Sequence, residues 1–527
     1  MGPHGAGPFW NGSIQDAGSG PVRSRRAVLL GAAGLGAATL TGAGLPAHAS
    51  LTLDPDPVTA YELAWDRVDT SVPHNEAGGL AWGMSYILLS LVRMYQATGD
   101  TRYLDRFVER ADQVWAQTDV RRGVTDWAGR SGWVWRAGGN YTAAASVITD
   151  TAGTPLFEVR YASTYASEST VTVTAASAGG ADLVLENPHT GSFPVPGVSF
   201  DPSSPDFVVD RINTEIYQPG RRWTAKWLDG DVAAVPAEGT VPAAQRYYAF
   251  AVHTGMVTYP MALFARVVLQ QQLVRYRGAA RRYRLWSEKA VAFHDAEWQW
   301  RTLPDGSTGG DYVWPKGAPV PFDGLTQPFN QSHGPGLTMA ELCRTLPGGG
   351  RDRYGYRAKV EAMVRAFGSD MEDRGAAWQW HYWPTYSELG RGYQADEELS
   401  EYTPWYGSVT SYEDISHAAI SVEFLIAAYR ARVAATDEDA AHLAATYRDQ
   451  VADGEDQVFT RVDGTTPATD SMAAQAGRWL TLQPWWPGMA GHVGSVYEAM
   501  ELEPGFGSHL AGVGYLAWAA NEGWRLD

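Results

Sequence analysis

The feature that most constrains this chain is a recurring pair of helices. EAGGLAWGMSYILLSLVRMYQATGD places apolar residues at helical spacing and stops at Gly99, and TRYLDRFVERADQVWAQTD follows at once as a second amphipathic helix. So tight a connection makes an αα-hairpin. The layout returns in VTYPMALFARVVLQQQLVRYRGAARRYRLWSEKAVAFHDAEW, in GLTMAELCRTLPGGGRDRYGYRAKVEAMVRAFGSDM and in HAAISVEFLIAAYRARVAATDEDAAHLAATYRDQV, with further helical sequence near residues 470–480 and 508–522. One hairpin cannot bury its own apolar face, so the copies must stack. The expectation is a mainly α fold, an (α/α) toroid of repeated helical hairpins, with an open solenoid as the alternative.

Between the first and second hairpins the texture changes. LFEVRYASTY and STVTVTAAS alternate and are rich in Val, Thr and Tyr, and ADLVLENP precedes a Pro- and Gly-rich stretch. This predicts a small β-rich insertion over residues 150–240, either a binding module or a decorated loop over the cavity rim. The expected organisation is a targeting segment over 1–49, a first part of the toroid over 50–149, the insertion, and the rest of the toroid over 241–527.

Residues 24–49 read SRRAVLLGAAGLGAATLTGAGLPAHA, a twin arginine, a weakly apolar segment and a small-residue end. This predicts a twin-arginine export signal cleaved after Ala49 and hence a secreted protein. The full chain has net charge −18; without Arg23, Arg25, Arg26 and Asp16 it has 38 basic and 58 acidic residues, net −20. That surface repels nucleic acid and anionic membranes, so neither is expected as a partner once the signal is removed. A single cysteine, Cys343, excludes an internal disulfide framework and a cysteine-based metal site, leaving about 478 residues to be stabilised by their core.

The chain carries 22 Trp and 26 Tyr, many of them near Gly and Pro. They are densest from Trp378 to Glu423, where Trp378, Trp380, Tyr382, Trp383, Tyr386, Trp405, Tyr406 and Tyr412 alternate with His381, Glu388, Arg391, Glu413, Asp414 and His417. Flat apolar faces among ionisable groups suit a sugar, which offers a C–H face for stacking and a rim of hydroxyls. Ser411, Glu413 and Asp414 also read as an ordinary helix start, with a cap and favourable charge at the positive end of the dipole. His417, three and four residues on, shares one helix face with them. Other helix entrances carry similar clusters: Pro73 to Glu76; Asp126, Arg130, Trp133 and Trp135; His253 and Tyr259; Asn330, Gln331 and His333; and QPWWPGMAGH near His492. Asn330 and His333 equally suit turn and cap roles ahead of Gly334-Pro335-Gly336.

The helical repeats, the Asn-x-x-His of Asn330 to His333 and the Tyr-rich loop before Glu413-Asp414-Ile415-Ser416-His417 resemble the α/α-toroid uronate polysaccharide lyases and, more remotely, the C-terminal part of glucuronyl C5-epimerases. The resemblance implies that Asn330 and His333 pair with a uronate carboxylate while Tyr382, Tyr386 or Tyr406 with His417 act as acid and base. The chain departs from such lyases in lacking a visible basic groove. β-Elimination needs donors for the charge that develops beside the carboxylate, for which Asn330, Gln331 and Arg391 are available, with Glu413 and Asp414 beside the base. Trp380, Trp383, Trp405, Asp126, Arg130, Trp135 and His253 complete the candidate binding set. The expected substrate is a polysaccharide or oligosaccharide, and the spacing implies no cofactor and no metal. Two other readings stand beside this one. A glycoside hydrolase would draw two carboxyls from Asp126, Asp311, Glu388, Glu413 and Asp414, roughly 5–5.5 Å or 6.5–9.5 Å apart. A non-catalytic glycan-binding protein would use the β-rich part as its sensor.

Overall fold

The computed structural model describes residues 56–218, 221–345, 355–500 and 507–527. The signal expected over residues 1–49 lies outside them. Eleven described helices have nine residues or more: α1 (Pro57–Trp65), α2 (Ser85–Thr98), α3 (Arg102–Ala116), α4 (Ala251–Gln270), α5 (Arg277–Ala292), α6 (Phe329–Thr345), α7 (Tyr356–Ser369), α8 (Ile415–Arg430), α9 (Asp437–Thr446), α10 (Met489–Ala499) and α11 (Gly507–Ala520). The αα-hairpin of α2 and α3 turns at Gly99, whose φ of 71° closes α2 in the left-handed region. α3 buries Tyr103, Leu104, Phe107, Ala111, Val114 and Trp115 along one face. α4, by contrast, is apolar enough in length and composition to cross a membrane, yet it is buried in the protein on nearly every side.

α4 packs on α6, α6 on α8, α11 on α2 and α2 on α4. These neighbours run parallel, as their close approaches show. Gly255 in α4 faces Gly334 and Pro335 in α6, Gly83 and Ser90 by α2 face Gly507 and Gly514 of α11, and His333 in α6 meets Ser421 in α8. The N-terminal ends of these helices therefore lie together, and the aromatic loops cluster at that end.

The β structure is larger than the sequence suggested. Eight strands, β1 (Ala144–Thr149), β2 (Pro155–Tyr161), β3 (Thr170–Ser177), β4 (Gly180–Asn187), β5 (Gly191–Ser199), β6 (Trp223–Trp227), β7 (Gly239–Pro242) and β8 (Ala244–Gln245), form two four-stranded antiparallel sheets ordered β6-β2-β1-β8 and β5-β4-β3-β7. In β3 the alternation is plain: Val171 and Val173 point inward and pair with Leu185 and Leu183 of β4. The sheets enclose a core of their own that includes Phe157, Val171, Leu183, Val198 and Trp223. Three further antiparallel hairpins lie among the helices: β9 (Trp298–Thr302) with β10 (Thr308–Tyr312), β11 (Glu372–Arg374) with β12 (Ala377–Gln379), and β13 (Ala452–Asp453) with β14 (Gln457–Val458).

The expectation of a mainly α toroid with a small β-rich insertion is therefore corrected. The described residues combine helices with fourteen strands in five antiparallel sheets, two of them four-stranded. The physical reason is that long amphipathic helices give a strong periodic signal over a dozen residues or more. β4 and β5 are interrupted by Gly, Asp and Pro, and the two- and three-residue strands are too short to show a period of two.

Candidate active site at the helix N-termini

The site is built on the first turn of α8. Asp414 is the N-cap: its carboxylate accepts from the backbone N–H of Ser416 and His417. The same carboxylate, through Oδ2, accepts from Nδ1 of His417 at 2.5 Å. Asp414 is held below the usual carboxylate range, because His417 and the two N–H groups favour its charged form more than burial disfavours it. An ionised Asp414 places the proton on Nδ1 and leaves Nε2 as the basic ring nitrogen. One residue and one helical turn thus fix both the orientation and the tautomer of His417.

Tyr382 packs over that imidazole, with ring centroids 5.0 Å apart. Gln331 lies beside its phenol, and its proton is held far more tightly than a free tyrosine's by burial and the nearby carboxyls of Asp414 and Glu413. Tyr382 is therefore a donor at neutral pH and not a phenolate. Glu413 is fully buried, with Oε2 accepting from the indole N–H of Trp380 and Oε1 without a partner. Burial pushes its carboxyl well above the usual value, the opposite of its neighbour Asp414. Trp383 packs edge to face against Tyr382, with ring centroids 5.4 Å apart. Asn330, next to Gln331 at the start of α6, is fully buried with neither amide atom hydrogen-bonded; Gln331 Oε1 and both amide atoms of Gln327 are in the same state. So many unpaired buried amides at one helix entrance are unusual, because each costs free energy unless something completes it.

The other candidates lie elsewhere. His333 is a core residue sandwiched between Phe329 and Phe424, with Nδ1 on Ser421, and burial lowers it to about 3, so it stays neutral. His253, equally buried and also lowered to about 3, holds Asn75 and Trp82 at the start of α2. Tyr386 donates to Asp311, which is paired with Arg301 and raised to about 6 by burial. Trp135 is core, its indole donating to the Val114 carbonyl. Arg391 is half exposed and paired with Glu397. Asp126 and Arg130 pair with each other, and Asp126 borders a separate cavity of about 480 Å³ formed by residues 125–127, Arg136 and residues 245–247. Trp405 meets Tyr217, and Tyr406 meets Phe322 and Arg222, all at the boundary with the sheets. The candidate set thus resolves into one group, Gln331, Trp380, Tyr382, Trp383, Glu413, Asp414 and His417, with Asn330 next to Gln331 in α6. Arg222 and Phe322 were not among the sequence candidates; the signal that could have found Arg222 is its place between Arg221 and Trp223.

No protein-family model matches this chain, and no curated protein or solved structure is similar to it.

Proposed function

We propose that this protein is a secreted enzyme that cleaves a uronate-containing polysaccharide by β-elimination. The observation that carries the reading is the pairing of a protonated phenol, Tyr382, with an imidazole whose tautomer Asp414 fixes. In this assignment Nε2 of His417 removes the proton at C5 of the uronate. The C4–O bond breaks as the C4–C5 double bond forms, and the Tyr382 hydroxyl protonates the departing oxygen. Asn330 and Gln331 supply neutral amide groups for the uronate carboxylate, whose negative charge grows as the C–H bond breaks. The reading rests on this chemistry and not on the fold.

The hydrolase alternative draws less support from the same geometry. Asp126 is engaged by Arg130, Asp311 by Arg301 and Tyr386, Glu388 accepts the backbone N–H of Thr326, and one oxygen of Glu413 accepts from the Trp380 indole. Each of those carboxyls already has a partner within the protein. The deciding experiment incubates the mature protein with glucuronan and with alginate, following the ultraviolet absorbance of an unsaturated uronyl end alongside a reducing-end assay. Absorbance should rise with the wild type and fall by ~10²–10⁴ in rate for His417→Ala and Tyr382→Phe. Reducing ends without absorbance would sink the elimination reading.

A further inference from the structure

We propose that Arg222 recognises an acidic substrate, taking the carboxylate of a sugar unit next to the one held at Tyr382 and His417. This inference rests on the uronate reading above and deepens it. Arg222 comes from the β part, immediately before β6, and only 4% of it is exposed. Its backbone is left-handed, with φ 54°, a conformation that a long side chain adopts only under strain. Such a conformation persists where the surrounding structure enforces it.

The surroundings of the guanidinium are aromatic. It lies 5.2 Å from the centroid of the Phe322 ring and is hydrogen-bonded to the Tyr406 phenol. The groups acting on its charge include the phenols of Tyr406, Tyr217, Tyr161 and Tyr393. Burial raises Tyr217, Tyr393 and Tyr406 above the ordinary phenol value, so these three remain neutral at physiological pH. From this cation an unbroken run of rings leads to the dyad: Phe322 is 5.3 Å from Trp383, Trp383 is 5.4 Å from Tyr382, and Tyr382 is 5.0 Å from His417. These rings are buried and pack edge to face, so they join the guanidinium to the dyad through direct contacts, and the planar guanidinium offers the two-pronged geometry that matches a carboxylate. A chain of net charge −18 repels an acidic polymer at long range, so a local buried cation is what such a substrate requires.

The test is a comparison of KM for glucuronan and for its methyl ester with the wild type, Arg222→Lys and Arg222→Met. The wild type should prefer the free acid. Arg222→Met should raise KM for the free acid about tenfold, leave KM for the ester unchanged and change kcat by less than about threefold, with Arg222→Lys in between. Equal shifts on both substrates, or no shift, would overturn the assignment. Thermal melting checks that the variants are folded. If Arg222→Met is unfolded at the assay temperature, Tyr406→Phe, which removes one hydrogen bond to the guanidinium and keeps its charge, should raise KM for the free acid about two- to threefold, and an unchanged KM would equally overturn it. A wild type without activity on any polyuronate would bring down the elimination reading and this one together, whereas an active wild type with an indifferent Arg222→Met would bring down only this one.

Discussion

Two adjacent carboxyls, Glu413 and Asp414, show how far placement decides chemistry. Asp414 is depressed by the imidazole and two N–H groups; Glu413 is raised because its environment offers a single indole N–H against complete burial. Asn caps a helix about as well as Asp, so Asp414→Asn should leave the melting temperature nearly unchanged while lowering kcat through loss of the fixed His417 tautomer. Asp414→Ala should in addition cost about 0.5–2 kcal/mol. Denaturation and turnover measured on the same two variants separate the capping role from the orienting one; equal kcat for Asp414→Asn and wild type would remove Asp414 from the mechanism. For Glu413 the sign runs the other way. Its folded value lies above the ordinary 4.5, so its contribution is most favourable below pH 4.5 and is lost as pH rises toward the folded value. Glu413→Gln should therefore raise the melting temperature at pH 8 by more than at pH 4.5, and a gain independent of pH would contradict the raised carboxyl. Most of this group was legible along the chain, because Trp380, Tyr382, Trp383, Glu413, Asp414 and His417 stand within one stretch. What sequence could not give was their division of labour, which depends on which carboxyl is buried by residues brought from elsewhere. His333 looked like its equal and proves to be a core ring, since nothing local reveals that Phe329 and Phe424 close over it.

At the scale of elements, the helical periodicity found the hairpins but not what brings α4 against α6. That contact depends on a missing side chain: a Cβ on Gly255 would stand 2.1 Å from the backbone carbon of Gly334 and 2.2 Å from the nitrogen of Pro335. Backbone cannot yield as a flexible side chain would, so Gly255→Ala should force the two helices apart and cost at least about 1–3 kcal/mol. Gly494, in the middle of α10, has nothing within 4 Å of the same position. There the exchange to Ala should stabilise by about 0.5–1 kcal/mol, through helix propensity alone. Urea denaturation of the pair is the check, and similar effects of the same sign would show that close approach does not set the α4–α6 spacing. The displacement at Gly255 also moves the start of α6, where Asn330 and Gln331 stand, so turnover should fall in Gly255→Ala and not in Gly494→Ala. The strands tell the converse story. Alternation in β2 and β3 was visible, but the extent of the two sheets was not, because β6, β7 and β8 are short, and their pairing with β2, β3 and β1 joins residues far apart in sequence. Length-limited strands acquire their identity from partners, and a single sequence does not display partners.

For the molecule as a whole, several arginines are gathered in the interior around buried carboxylates. Arg93 of α2, Arg266 of α4 and Arg430 of α8 converge on the side chain of Asp527 at 2.9, 2.6 and 2.7 Å, and Gln96 adds a fourth donor at 2.6 Å. Arg266 is also paired with Glu341 of α6. One carboxylate thus ties together three helices that are far apart in sequence, and through Arg266 it reaches a fourth. A single sequence does not show this network, because its members lie on helices far apart along the chain. A buried pair adds little over a well-packed apolar one, but removing one partner leaves charges in a low-dielectric interior and is costly. Asp527→Asn should therefore lower stability at pH 7 by about 3–5 kcal/mol. The guanidinium groups hold Asp527 far below its ordinary 3.8, so its contribution is fully present above that value and is lost only as pH falls through the much lower folded value. The gap between wild type and variant should accordingly be widest near neutrality and close progressively in strong acid. Chemical denaturation of both proteins at pH 7 and at pH 2.5 measures this directly. A variant as stable as wild type at pH 7 would mean that the arginines find other partners and that Asp527 does not hold the helices in place. A gap that fails to narrow in acid would mean that packing, and not charge, is what the substitution removes.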